Sequence, residues 1–355
     1  MIARLHSPLV CTLGGLLFCL TAYSPLCAQD MNNPGQYMGS ISSAMMDMNK
    51  SYMAYLSLAA HSHRARKIEK MRQQTLESIT SCRYKINGLP YYKGDNSLRE
   101  SSINYVKLCY SVFDEDYAHI VNMEEIAEQS YDEMEAYLLL QEKTNERLKG
   151  AADSMDVAEK TFAAKYNVNL VDAPKDELSG KMETAGKLNH YYNEVFLLFF
   201  KCNWQDGEIT KAINKKDLKN LEQSRNALDN FALQGLKALD TLKTFEGDGS
   251  LSSACARALT FYKRMAEVDL PKVEDFYLKQ DNFNKLKAVL DAKPQSSRTK
   301  EDVDTYNSAV GDLNNSVRNF NQENDAMNND RKSVIDGWNE GEKNFMDAHM
   351  PHYKA

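Results

Sequence analysis

Residues 301–345, EDVDTYNSAVGDLNNSVRNFNQENDAMNNDRKSVIDGWNEGEKNF, decide the fold. Within them Val303, Tyr306, Val310, Leu313, Val317, Phe320, Asn324, Met327, Arg331, Val334, Trp338, Gly341 and Phe345 recur at alternating spacings of three and four, one helical face sustained over six heptads. A half-buried strand would alternate every second residue, and such alternation is nearly absent from the chain. Asn324 and Arg331 interrupt the apolar seam, so the run predicts a long helix packed in its own domain rather than a free coiled coil.

Working outward, the chain aligns with itself. Residues 66–120 lie over 219–273 at a constant offset of 153, which sets Glu69 on Glu222, Arg72 on Arg225 and Leu89 on Leu242. The same offset sets Gly94-Asp95-Asn96-Ser97-Leu98 on Gly247-Asp248-Gly249-Ser250-Leu251. A second register, offset 183, places Glu159-Lys160-Thr161-Phe162 on Glu342-Lys343-Asn344-Phe345. The difference of 30 between the offsets calls for an extra helical hairpin near residues 271–298. The shared Gly-Asp-x-Ser-Leu segment reads as a turn: Gly94 and Gly247 supply a left-handed backbone, Asp95 and Asp248 favour the turn, and Ser97 and Ser250 cap the helix that Leu98 and Leu251 enter. Ser97-Leu98-Arg99-Glu100 also has the form of a capping box.

The fold expected is therefore all-α: two tandem, duplicated, antiparallel four-helix-bundle-like units of long helices. With the turns as anchors, helices are predicted over residues 36–61, 63–86, 97–120 and 122–166, then 178–203, 208–244, 250–292 with a break before Pro271, and 300–347. The domains are a signal segment 1–29, unit 1 at 30–167, a linker at 168–177 containing Pro174, and unit 2 at 178–355.

The first 29 residues read as an export signal. Arg4 is a short positive region, residues 9–22 are apolar, and Ser24-Pro25-Leu26-Cys27-Ala28-Gln29 offers small residues for cleavage. An apolar run of about 14 residues is short for a span, which needs roughly 20. Lipidation at Cys27 is disfavoured because a small residue does not precede it. No later segment reads as a span, the most apolar being the run 195–200, which ends at Lys201. Removing Arg4 leaves 42 basic against 50 acidic residues, a formal charge of −8. That balance argues against nucleic acid and anionic membrane surfaces, which are bound by clustered Lys and Arg. The one local exception, His63-Arg64-Ala65-Arg66-Lys67, reads as a surface helix start.

Cleavage would also remove Cys11, Cys19 and Cys27, leaving Cys82, Cys109, Cys202 and Cys255 in an oxidising compartment. Cys82 and Cys109 face each other across one turn and are the favoured disulfide, worth about 3 to 4 kcal/mol by loop closure. Cys202 and Cys255 are the less favoured pair, because the expected helix ends place them at opposite poles. There is no Cys-x-x-Cys for redox or haem chemistry.

Metal and enzyme signatures are weak. Asp116-Tyr117-Ala118-His119 is a single partial match to the paired motif of di-iron bundles. His61-Ser62-His63 would splay two imidazoles roughly 200 degrees apart on a helix. His349-Met350-Pro351-His352 sits at a terminus expected to fray. Met45-Met46-Asp47-Met48 looks like a soft copper run, yet Met38, Met45, Met48, Tyr52 and Tyr55 form one helical core stripe. The acidic stripe Glu124, Glu128, Asp132 and Glu135 has the spacing of a solvated face. Serine-elbow, phosphate-loop and zinc-protease motifs are missing, and no catalytic, cofactor or metal residue is assigned. Tyr91-Tyr92 and Tyr191-Tyr192 could line a binding groove.

The helix starts Asn189-His190-Tyr191-Tyr192 and Asn49-Lys50-Ser51-Tyr52, the long amphipathic helices and the signal end Cys27-Ala28-Gln29 resemble secreted or surface proteins of Bacteroidota and spirochaetes that have no known activity. The resemblance implies a bacterial envelope location and carries no functional residues. The expected function is an exported, non-enzymatic helical binding or structural protein of the periplasm or cell surface. It would be a monomer or weak oligomer that meets an envelope protein or glycan through its flank or an inter-unit groove. The alternative is an extracytoplasmic carrier of a metal or small ligand. A contiguous exposed aromatic or apolar patch would favour the first.

Overall fold

The computed structural model describes residues 31–61, 65–116, 130–170 and 177–354. The signal segment 1–29 with Cys27, the pair His63 and Arg64, the helix start at 122–125, Glu124, Glu128, His119 and Pro174 lie outside the described residues.

The described chain is all-helical. In order it forms α1 Pro34–His61, α2 Ala65–Asn87, α3 Ser97–Ser111, α4 Tyr131–Lys165, α5 Glu177–Lys215, α6 Leu218–Thr241, α7 Ser250–Arg264, α8 Leu270–Ala292 and α9 Lys300–His349. Short π-helical turns, Val112–Asp116 and Met265–Asp269, extend α3 and α7. Helix α2 and α6 begin 153 residues apart, as do α3 and α7 and the two π turns. Among the described residues the only β pairing is two isolated bridges, Tyr92 with Asp95 and Phe245 with Asp248.

Local chemistry sets the helix ends. The Ser130 hydroxyl accepts from the Glu133 amide at 3.1 Å and starts α4. Asp217 does the same for Asn220 at 3.1 Å and starts α6. Thr299 and Asp302 form a reciprocal capping box at the head of α9, with Asp302 accepting from the Thr299 amide and Thr299 from the Asp302 amide.

Two boundaries correct the sequence reading. Helix α5 continues through residue 203 to Lys215, because Gly207 sits in open space and Asp206 is directed inward. The break falls at Lys216, whose φ of 55° is left-handed, followed by the Asp217 cap. Before Pro271 the chain stays helical: the wider π turn leads into α8, where Pro271 occupies the first turn and its missing N–H breaks no bond.

The chain divides into two compact units: residues up to 193 with 344–355, and residues 194–343. The division falls inside α5, whereas the sequence reading placed it at the linker 168–177. In unit 1, α1 packs along α2, and α3 lies against both α2 and α4. Its core includes Tyr52, Met53 and Leu56 of α1, Ile79 and Ile86 of α2, Val106 of α3, and Leu148 and Phe162 of α4. Burying each such side chain contributes about 1.5 to 3 kcal/mol before conformational entropy is counted. The methionine and tyrosine stripe Met38, Met45, Met48, Tyr52 and Tyr55 lies wholly in this core.

In unit 2, α6 packs along α7. Gly235 and Gly341 allow close approach: a Cβ at Gly235 would lie 2.7 Å from Leu259 Cδ1, and one at Gly341 would lie 2.8 Å from Ala254 Cβ. Phe199 stacks on Trp338 at 4.3 Å. Helices α8 and α9 run side by side as a hairpin, with Phe276 stacked on Phe320 at 4.4 Å and Lys272 paired with Glu323 at 2.7 Å. The apolar seam quoted above is buried unevenly. Val303 is 41% exposed whereas Met327 and Trp338 are buried, since the first half of α9 in this unit meets α8 as a two-helix hairpin. Among the described residues no helix is long and apolar enough to cross a membrane.

Candidate functional site

The connection between α2 and α3 fixes the frame of unit 1. Lys93 and Gly94 take left-handed φ of 50° and 82°, the signature of a type I′ turn, and Tyr92 and Asp95 exchange backbone bonds at 3.0 and 2.9 Å. The Asp95 carboxylate accepts from the Ser97 amide at 2.8 Å, from Lys165 Nζ at 2.7 Å and from the Tyr166 hydroxyl at 3.0 Å. These bonds, led by that of Lys165, hold its carboxyl far below the ordinary range. The second turn repeats the arrangement: Glu246 and Gly247 have φ of 49° and 90°, and Asp248 accepts from the Ser250 amide at 2.7 Å. Capping is thus done by Asp95 and Asp248. Ser97 and Ser250 are already inside their helices, so neither hydroxyl caps, and the expected box with Glu100 does not form. Leu98 and Leu251 are buried just beyond the turns.

Between α2 and the end of α3 this frame leaves an open groove of about 560 Å³. Leu76 forms its floor and Tyr84 and Tyr110 contribute aromatic surface, Tyr84 being 66% exposed. Gln73, Glu77, Thr80 and Ser81 of α2 and Asp114 of the first π turn supply polar groups. Gln73, Glu77, Thr80 and Tyr84 recur at spacings of four, three and four, which puts them on one helical face. Lys85 closes one end and is paired with Asp47 at 2.8 Å. Arg72 Nη1 stands 4.0 Å from Asp114.

The expected disulfides are not formed: Cys82, Cys109, Cys202 and Cys255 are all free and buried. Burial pushes the Cys82 and Cys202 thiols up to about 12, and those of Cys109 and Cys255 rise as well. Cys255 donates toward the Val195 carbonyl at 3.7 Å. Thiol exchange needs a thiolate, which these apolar sites oppose. The opposite-pole argument also fails for the second pair. Because α5 runs on to Lys215, Cys202 lies inside the helix rather than at its end.

Two buried acids stand apart from the groove. In unit 2, Asp206 accepts from Arg331 Nε through both oxygens at 2.9 Å. Burial raises the Asp206 pKa and the Arg331 charge opposes that shift. The two opposite charges lie within 2.8 Å of each other, which makes the pair a structural tie between α5 and α9. In unit 1, Glu159 is 8% exposed, and burial, with Asp156 nearby, pushes its carboxyl up to about 7.

The C-terminal histidines are held rather than frayed. His61 Nε2 lies 3.1 Å from the Met350 carbonyl and Nδ1 lies 3.3 Å from Asp347, while the His352 ring stacks on His61 at 3.9 Å. The Tyr353 amide donates to Ser57 Oγ at 3.0 Å. Among the described residues no group of three or more His, Cys, Asp or Glu is placed to hold a metal.

Of the other sequence candidates, Tyr92, Tyr191 and Tyr192 are buried, while Tyr91 is 54% exposed and carries Arg99 over its ring at 5.0 Å. Asp132 and Glu135 are exposed, as expected of a solvated face. The groove residues went unseen in the sequence. Their one signal is Tyr84, a large aromatic on the polar side of α2, about 140 degrees around the helix from Ile79. No protein family, curated protein or solved structure matches the chain.

Proposed function

We propose that this is an exported, non-enzymatic binding protein of the bacterial envelope, at the periplasm or cell surface, that meets its partner through the groove between α2 and α3. The carrying observation is the groove itself. It joins exposed aromatic surface at Tyr84 to hydrogen-bonding groups at Gln73, Glu77 and Asp114 on a frame pinned by the Asp95 turn. Most surface apolar residues of a soluble protein are isolated, so an aromatic set into a polar concavity favours recognition. Export rests on Arg4 and the apolar run 9–22.

The same proposal includes a duplicated bundle that acts as a monomer or weak oligomer. Duplication is supported by the paired starts of α2 and α6 and of α3 and α7, and by the equal turns at Gly94 and Gly247. Fractionation of cells that make the full chain, compared with a chain lacking residues 1–29, tests the location. The full chain is expected in the periplasmic or outer-envelope fraction and the shortened chain in the cytoplasm. An equal cytoplasmic distribution of both would end the proposal.

A further inference from the structure

We infer that the α2–α3 groove takes a short, neutral glycan; the inference rests on the binding role proposed above and names the ligand class for that site. Length is the first argument. From Gln73 to Lys85 the groove follows twelve residues of α2, about 18 Å at 1.5 Å per residue, which is the scale of a trisaccharide.

Charge is the second. Glu77 and Asp114 both face the groove, whereas Lys85 is already engaged by Asp47 at 2.8 Å. An anionic ligand would meet the Glu77 carboxylate and Asp114, whose neighbour Arg72 at 4.0 Å is already shared with Glu69 at 2.9 Å, and like charges at close range oppose binding. A neutral polyol avoids that cost. Its hydroxyls can donate to Glu77 and Asp114 and can exchange bonds with Gln73, Thr80 and Ser81, all of which combine donor and acceptor capacity.

Aromatic surface is the third. A pyranose ring has an apolar face of C–H groups, and the π face of a tyrosine offers a flat apolar surface with a polar tip. Tyr84, 66% exposed, and Tyr110 provide such surfaces at the groove. A peptide is the poorer fit. The floor residue Leu76 is only 7% exposed, so an apolar side chain would gain little burial, and α2 and α3 offer no strand edge for main-chain pairing.

The test is saturation-transfer NMR and calorimetry on the purified full chain with chitotriose, cellotriose and maltotriose. Sialyllactose serves as the anionic comparison and a neutral polar hexapeptide as the alternative ligand class. At least one neutral trisaccharide should bind with a Kd between tens of micromolar and millimolar, and Tyr84→Ala should weaken it by about tenfold or more. Tyr84 is exposed, so that variant keeps its fold; Tyr91→Ala, an exposed tyrosine outside the groove, should bind as the parent does. No binding of any neutral trisaccharide at millimolar concentration would overturn the assignment. So would tighter binding of sialyllactose or the peptide, or equal loss in both tyrosine variants. If the trisaccharides fail while Tyr84→Ala still releases the protein from isolated envelopes, the glycan assignment falls and the binding role stands.

Discussion

Asp206 and Arg331 form a buried ion pair between α5 and α9, with Arg331 Nε at 2.9 Å from both carboxylate oxygens. Removing one partner of such a pair strands the other charge, which costs about 3 to 5 kcal/mol, whereas replacing both with apolar residues is often neutral. Arg331→Met should therefore lower the urea midpoint strongly. Asp206→Leu combined with Arg331→Met should recover most of that loss. A single variant that unfolds at the parental midpoint would show that the pair is not a structural tie.

Glu159 makes stability depend on pH in an identifiable window. Its folded carboxyl is raised from 4.5 to about 7, so the native state holds the proton more readily than the unfolded chain. Its contribution is complete below about 4.5 and is lost as pH rises toward 7. The shift corresponds to about 3 kcal/mol at most. Glu159→Gln should leave stability near pH 4.5 almost unchanged and raise it at pH 8, measured by denaturant unfolding of parent and variant in parallel. The opposite sign, or a constant difference across the range, would rule out this carboxyl as the source.

Gly341 and Gly235 look alike in the sequence but differ in what a methyl group would meet. At Gly341 it would strike the rigid Ala254 Cβ at 2.8 Å, while at Gly235 it meets the movable tip of Leu259. Alanine gains about 1 kcal/mol of helix propensity at either site. Overpacking costs about 1 to 3 kcal/mol where neighbours cannot yield. Gly341→Ala should lower the melting temperature, and Gly235→Ala should be close to neutral. A reversed order would contradict the packing described for α7 and α9.

The contrast shows where the sequence was legible. The 3.6-residue period revealed that the chain is helical, and the Gly-Asp pairs at 94–95 and 247–248 marked their turns, because backbone periodicity and left-handed φ are local properties. Other features depend on what packs against a residue. Residues 203–207 read as a break, yet an inward Asp206 paired with Arg331 carries α5 through them. Cysteine pairing depends on where helix ends fall, and the helix that carries Cys202 ends at Lys215 rather than at residue 203. Tyr84 could not be singled out among many tyrosines until the α2–α3 geometry showed which one stays exposed beside a groove.

His61 anchors the C-terminal segment through the Met350 carbonyl, Asp347 and the His352 ring. Because a carbonyl only accepts, Nε2 must donate there, and no alanine can replace that bond. His61→Ala should speed carboxypeptidase trimming back to Met350, with Ser57→Ala, which loses only the bond to the Tyr353 amide, showing a smaller effect. Equal trimming rates in parent and His61→Ala would mean that the segment is held by other contacts.

The most direct test of the central claim is co-sedimentation of purified protein with isolated native envelopes, comparing the parent with Tyr84→Ala and Tyr91→Ala. The parent and Tyr91→Ala should pellet with the envelopes while Tyr84→Ala stays in the supernatant. Equal partitioning of all three proteins would contradict recognition through the α2–α3 groove.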